Sequence, residues 1–175
     1  MSGNGKTRAI VAVDEKWGIG KKNDLLFRLP LDMKFFKEHT LGKTVCMGYN
    51  TLLSFPGGKA LKDRKNIVLC PDGIEREDAL CVHTLKALSD VLCKEDGDVY
   101  VIGGAMFYKT MLPYCEEILV TKVDADGGAE VFYENLDKNP NFELVYKSES
   151  LETNGYTIAF TTYKNSNPLS LEKLI

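Results

Sequence analysis

Apolar residues along this chain fall in short, dense runs separated by polar segments rich in glycine or proline. Ala9 to Val13 is continuously apolar, the pattern of a strand buried on both faces. Thr44 to Met47, ending at Gly48, repeats it. So do Asn66 to Cys70, stopped by Pro71-Asp72-Gly73, Val99 to Ile102, which runs into Gly103-Gly104, and Ile118 to Val123. Ala79 to Val82 is a weaker strand. Helical stretches lie between them: a segment opened by Pro30, whose missing N–H suits a first helical turn, Leu85 to Cys93, and Ala105 to about Leu112. One helical turn is expected over Asn50 to Leu53, capped by Asn50. Asp14 to Asp24 and Pro56-Gly57-Gly58 read as loops. Phe142 to Ser148 and Tyr156 to Tyr163 alternate and flank Asn154-Gly155, a strong hairpin signal. Asn165 to Ile175 carries no assignable pattern.

Strands alternate with helices first, and a hairpin comes last. The expected class is therefore α/β: a central, mostly parallel mixed sheet, helices on both faces and a C-terminal antiparallel hairpin. A length of 175 residues fits one domain over residues 1–175, with its core at about 8–164. Hydrophobic residues make up 44% of the chain, enough for a core without disulfides. The formal net charge of −3 argues against a nucleic-acid or anionic-membrane partner. The five cysteines are odd in number and widely spaced, and His39 and His83 lie far apart, which argues against a zinc site. With reduced cysteines, a polar start and no apolar stretch of bilayer length, the expected compartment is the cytoplasm.

The Pro30 helix holds the most informative residue. Wound at about 3.6 residues per turn, it puts Lys34, Lys37 and Glu38 on one side. Leu29, Met33, Phe36 and Thr40 fall on the other, together with Asp32. A carboxylate among apolar side chains loses hydration and calls for a compensating partner. The plain alternative is an acid in the first turn facing the helix dipole. Thr121, at a strand end, is a candidate partner if the two strand ends converge on one cleft. Gly103-Gly104 opens a helix after a buried strand, a place where phosphate is readily bound or simply a tight turn. Trp17-Gly18-Ile19-Gly20 suits a lid or a plain turn. Arg64 suits a carboxylate clamp or a solvated charge. Gly5-Lys6-Thr7 lacks the preceding strand that a phosphate-binding P-loop requires.

The order and spacing of these motifs resemble dihydrofolate reductase from Arg8 to about Tyr163. The matching residues are Ala12-Val13-Asp14, Trp17-Gly18-Ile19-Gly20, Leu29-Pro30-Leu31-Asp32-Met33 with Phe35-Phe36 and Thr40, and Met47-Gly48 with Thr51 and Ser54. Further matches are Arg64-Lys65-Asn66-Ile67-Val68-Leu69, Val101-Ile102-Gly103-Gly104 with Tyr108, and Leu119-Val120-Thr121. The resemblance implies reduction of dihydrofolate to tetrahydrofolate, a step of one-carbon metabolism, by hydride from NADPH. Asp32, with Thr121 bonded to the same pterin group, is expected to orient the pterin and support its protonation through water. Tyr108 is expected near the nicotinamide. Ile10, Ala12, Leu25, Phe27, Met33, Phe36, Phe55, Leu61 and Ile102 are the expected substrate-pocket residues, and Arg64 the clamp for the glutamate tail. On the cofactor side the resemblance implies Ala12, Ile19, Gly20, Gly48, Thr51, Leu69, Cys70, Gly103, Gly104, Ala105, Met106, Phe107 and Tyr108. It also implies antifolate inhibitors as ligands and a monomer.

Some residues depart from the family pattern. Phe27 stands where many members have Trp, and Leu26 where many have Pro. Tyr49 stands where the family very often has an arginine gripping the adenosine phosphates. Cys70-Pro71 replace a hydroxyl or basic residue at the 2′-phosphate. These changes lead us to expect weakened NADPH preference and room for NADH. Two other readings remain: a non-catalytic folate- or nucleotide-binding module, and the pyrimidine reductase of riboflavin synthesis, which needs neither Asp32 nor Arg64.

Overall fold

The computed structural model describes residues 5–22 and 25–174. Eleven strands form in chain order: β1 (Thr7–Val13), β2 (Gly18–Gly20), β3 (Thr44–Gly48), β4 (Lys65–Leu69), β5 (Leu80–Val82), β6 (Val99–Val101), β7 (Glu117–Val123), β8 (Val131–Phe132), β9 (Phe142–Lys147), β10 (Leu151–Thr153) and β11 (Tyr156–Asn165). The α-helices are α1 (Pro30–Thr40), α2 (Tyr49–Ser54), α3 (Leu85–Leu92) and α4 (Ala105–Met111).

Nine strands form the central sheet, in the order β10-β11-β7-β1-β6-β3-β4-β5, with β9 also paired to β11. From β7 to β5 every neighbouring pair is parallel, and β11 adds antiparallel to β7. This is the mixed sheet that the alternation of elements predicts.

Successive strand residues point to opposite faces, and both faces here are buried. Ala9, Val11 and Val13 join Cys46, Ile67, Val101, Ile118 and Val120 in one core layer, with Leu88 and Leu92 of α3 and Phe107 and Met111 of α4. Ile10, Val45, Met47, Val68, Ile102 and Leu119 face the other way, against Phe35 and Phe36 of α1 and Leu52 of α2. Burial on both sides is why these strands read as unbroken apolar runs rather than as alternations.

Three short strands differ from the sequence reading. The Asp14–Asp24 loop contains β2, which pairs with β8 across more than a hundred residues of chain. The Asn154-Gly155 turn joins β10, not β9, to β11, pairing Thr153 with Tyr156. Its φ values of 49° and 82° are the left-handed pair that this dipeptide supplies at little cost. The partner strand predicted at Phe142 instead pairs with the far half of β11 across a bulge.

Two smaller expectations also change. Asn50 lies inside α2, whose cap is Gly48 with no side-chain hydrogen bond, so the cap comes two residues early, from the strand end itself. The unassigned tail begins as the last residue of β11, and Leu174 is only 2% exposed. The tail is pinned where Ser89 Oγ of α3 donates to Leu171 O at 2.7 Å and Leu169 N donates to Pro113 O at 2.9 Å.

Candidate active site

Thr121 shares a face of β7 with Leu119, so it points to the α1 side of the sheet. It pairs in register with Ala12 of β1 on one side and Phe160 of β11 on the other. Pro30 starts α1 directly over this spot. The helix is held by Leu31 N donating to Thr153 Oγ1 at 3.2 Å, and by Phe35 stacked on Phe160 with ring centroids 4.3 Å apart. Just before the helix, Asn154 Nδ2 donates to Arg28 O at 2.9 Å. The C-terminal hairpin therefore sets the position of Asp32.

Thr121 Oγ1 donates to Asp32 Oδ1 at 2.6 Å. Burial pushes the Asp32 carboxyl above its usual range, and the Thr121 hydroxyl pulls partly the other way. The result is a mostly desolvated acid with one oxygen fixed and Oδ2 available to a ligand's N–H groups. Around it, Ile10 and Ile102 belong to the same core layer, with Phe36, Phe55 and Leu61 packed against that layer. Ala12 is half-buried beside Thr121.

The other substrate-side candidates are not part of that core layer. Met33 is 53% exposed and Leu25 is 75% exposed. Met33 sits about 100° around the helix from Asp32, at the shoulder of an inward stripe carried by Asp32, Phe35, Phe36 and His39. Phe27 turns toward β11, with its ring centroid 4.8 Å from that of Tyr156.

Arg64 is half-buried just before β4. Its Nε is buried and has no hydrogen-bond partner among the described residues. Burial lowers its pKa, although Asp63 opposes the shift. A desolvated guanidinium with an orphan donor is suited to a carboxylate arriving from outside.

Beyond β6, Gly103 and Gly104 are joined by a cis peptide. The Thr51 hydroxyl lies against them, so that a Cβ would come within 3.3 Å of it at Gly103 and 3.2 Å at Gly104. Bare backbone beside a hydroxyl is a cradle that diphosphate oxygens fit, and Gly48 N donating to Gly103 O at 2.9 Å holds the two strand ends together. Tyr108 Oη donates to Ile10 O at 2.7 Å, joining this cradle to the Asp32 face. Ala105 is half-buried and Met106 is 77% exposed beside the cradle. The Phe107 side chain lies in the core layer of the opposite face, so only its backbone is available there. Leu69 ends β4 and Cys70 directly follows it, along the same edge of the sheet.

Ile19 and Gly20 lie in β2, a segment firmly held at its base. The Asp14 carboxylate, 2% exposed, accepts from Lys16 N at 2.9 Å, Gly18 N at 2.7 Å and Gly127 N at 3.0 Å. Trp17 is 6% exposed and stacks near Tyr133 and Tyr163. A Cβ on Gly18 would come 2.3 Å from Ala129 Cβ and 2.9 Å from the Asp14 oxygens, so only glycine fits. The sequence reading missed the anchoring role of Asp14. Its one available signal was an acid directly after an apolar run and ahead of two glycines.

A cavity of about 260 Å³, bounded by Thr7, Glu95, Tyr114, Glu116 and Leu171, lies at the opposite, amino ends of β1 and β6. It has no part in the Asp32 site.

The strand order, the carboxylate under α1 and the glycine cradle define an α/β protein with a small-molecule pocket and a neighbouring phosphate cradle on one edge of the sheet. The profile of the family described as dihydrofolate reductase matches residues 6–165. The chain is 34% identical over 162 residues to the dihydrofolate reductase of Bacillus subtilis strain 168, covering 90% of this chain and 94% of the relative. It is 33% identical over 161 residues to that of Staphylococcus haemolyticus, covering 91% and 95%. Among solved structures, dihydrofolate reductase from Enterococcus faecalis complexed with NADP(H) and RAB-propyl superposes with a TM-score of 0.85. It has 27% identity and covers 95% of this chain and 100% of that one. The chain belongs to the dihydrofolate reductase family.

Proposed function

We propose that this chain reduces 7,8-dihydrofolate to 5,6,7,8-tetrahydrofolate, with NADPH as reductant. The observation that carries the reading is the Asp32–Thr121 pair: a desolvated carboxylate, oriented by one hydroxyl, beneath a helix on the pocket face of the sheet. The cofactor supplies the hydride when bound, and the Thr51–Gly103–Gly104 cradle with Gly48, Ala105 and the Phe107 backbone would hold its diphosphate. Asp32 Oδ2 accepts the ring N–H and exocyclic amine of the pterin, fixing its orientation and polarising the ring for a proton delivered through water. Ile10, Ile102, Phe36, Phe55 and Leu61 exclude bulk solvent. Arg64 clamps the glutamate carboxylate. Tyr108, tied to Ile10 O, borders the nicotinamide. Antifolates that mimic the pterin edge would use the same Asp32 oxygens.

No described helix is long and apolar enough to cross a membrane. A cytoplasmic monomer is the working assembly of this proposal. The direct test is loss of reduced-nicotinamide absorbance with dihydrofolate, accompanied by one tetrahydrofolate formed per cofactor consumed. Tight folate binding without turnover would move the reading to a non-catalytic binding module.

A further inference from the structure

The cavity at the amino ends of β1 and β6 lies away from the Asp32 site, and its outer wall lies outside the residues that the family profile matches. That wall is formed by residues 168–172, whereas the profile ends at residue 165. The wall is fixed in place. Leu169 N donates to Pro113 O at 2.9 Å, Ser89 Oγ to Leu171 O at 2.7 Å, and Tyr114 Oη to Lys173 O at 3.3 Å. The floor is apolar, made by the buried Leu92 and Val99.

Two polar groups interrupt this lining. Thr7 shares a face of β1 with Ala9 and Val11 and is only 6% exposed. Its N–H donates to Glu116 Oε2 at 3.3 Å and its carbonyl accepts from Glu116 N at 2.8 Å. Its hydroxyl has no hydrogen-bond partner among the described residues. A hydroxyl more than nine-tenths buried on the wall of a cavity calls for a partner inside it. Glu116, beside it, makes no other side-chain hydrogen bond or ion pair among the described residues, so its Oε1 is free. The second acid on the wall is already spent: Glu95 Oε1 accepts from Thr44 Oγ1 at 2.5 Å and Oε2 from Lys65 Nζ at 2.6 Å. Glu172 and Lys6 are both exposed at the rim and offset each other in charge. The uncompensated charge of the cavity is therefore the Glu116 carboxylate.

We propose that this cavity is a second ligand site, which takes a primary ammonium carried on a compact apolar body. The ammonium donates to the Thr7 hydroxyl oxygen and to Glu116 Oε1, the second bond being charge-assisted. The apolar body lies on Leu92, Val99 and Leu171. An apolar cavity of about 150 Å³ holds benzene, so about 260 Å³ has room for a six-membered ring and a short arm bearing the nitrogen. Glu116 opposes an anion, and a neutral alcohol satisfies Thr7 but leaves the acid unpaired. Because residues 168–172 form one wall, occupancy also tightens the tail. The site stands independently of the reductase reading.

The test uses benzylammonium as the probe, with benzyl alcohol and benzoate as its neutral and anionic counterparts. Each is titrated into the folded full chain near neutral pH and followed by amide NMR shifts and calorimetry. Benzylammonium should bind with a Kd on the order of 1 mM, within reach of so small a ligand. Its shifts should cluster at residues 5–7, 92–97, 114–116 and 168–172. Benzyl alcohol and benzoate should bind at least about tenfold more weakly, the loss that follows when a hydrogen bond to a charged group is forgone. Glu116→Gln should weaken benzylammonium about tenfold and Thr7→Val about two- to tenfold, whereas Asp32→Asn should leave its Kd unchanged. Leu169→Trp, on the exposed tail wall and clear of the strands, should block the cavity and abolish binding with the fold intact. At ten times Kd, benzylammonium should raise the Tm of the wild type by about 3–6 °C. Absence of binding, shifts confined to other residues, equal affinity for the three probes, or an unchanged Kd in Glu116→Gln and Thr7→Val would overturn the proposal.

Discussion

At the scale of single residues, the site works through groups that the fold leaves incompletely satisfied. Asp32 is buried more than a carboxylate tolerates, and Thr121 offsets only part of that. Removing the hydroxyl with Thr121→Val should push the Asp32 pKa further up. If the ionised acid grips the pterin, the acid limb of the kcat/KM profile moves to higher pH. The rate itself should fall about tenfold near neutrality, the equivalent of roughly 1.5 kcal/mol for a hydrogen bond to a charged group. Arg64 is incomplete in a different way, with a buried Nε and no partner among the described residues. Arg64→Leu should raise KM for dihydrofolate about tenfold to a hundredfold, corresponding to roughly 1.5–3 kcal/mol. It should leave KM unchanged for a pterin lacking the glutamate tail, so equal losses on both substrates would exclude the clamp. Asp32 was legible in the sequence because a lone acid on an apolar helical face is anomalous. Met33 is the more exposed neighbour of Asp32, because the half-buried stripe of the helix runs through Phe35 and His39, an axis that a helical wheel does not fix.

At the scale of elements, the parallel strands were legible because burial on both faces leaves an unbroken apolar signature. β2, β8 and β10 were not. Each is two or three residues long and exists only through a partner brought near by the rest of the fold. The β2 segment depends on Asp14, whose three backbone hydrogen bonds tie the end of β1 to Gly18 and, far along the chain, to Gly127. Asp14→Ala strands those buried N–H groups. It should cost about 1.5–3 kcal/mol, a drop in Tm of about 3–12 °C at roughly 2–4 °C per kcal/mol. Faster hydrogen exchange should be confined to residues 15–22 and 125–132. A thermally neutral variant would show that the acid does not hold this segment.

At the scale of the whole molecule, two core layers share one sheet, and the site occupies one face along one edge. The opposite layer packs α3 and α4 against the sheet, and the tail contributes to it. Leu174 fills a place beside α3 that the composition of residues 165–175 did not reveal, because three leucines and an isoleucine at irregular spacing in a polar segment give no periodic signal. Leu174→Ala should cost about 2–5 kcal/mol in denaturant unfolding while leaving KM for both ligands unchanged. A change in KM instead would mean that the two layers are coupled.

On the proposed function, Asp32 is kept desolvated for catalysis at the expense of stability. Its raised pKa means that the folded state penalises the ionised form. The penalty is absent below the unfolded value, grows between the unfolded and the folded values, and is complete above the folded value. The measurement that tests this most directly is NADPH-dependent dihydrofolate turnover of wild type and Asp32→Asn side by side, with Tm recorded for both at neutral pH. We expect a fall in kcat/KM on the order of 10²–10⁴ together with a Tm equal to or above that of the wild type. Retained turnover, or lost turnover with a clearly lowered Tm, would contradict it.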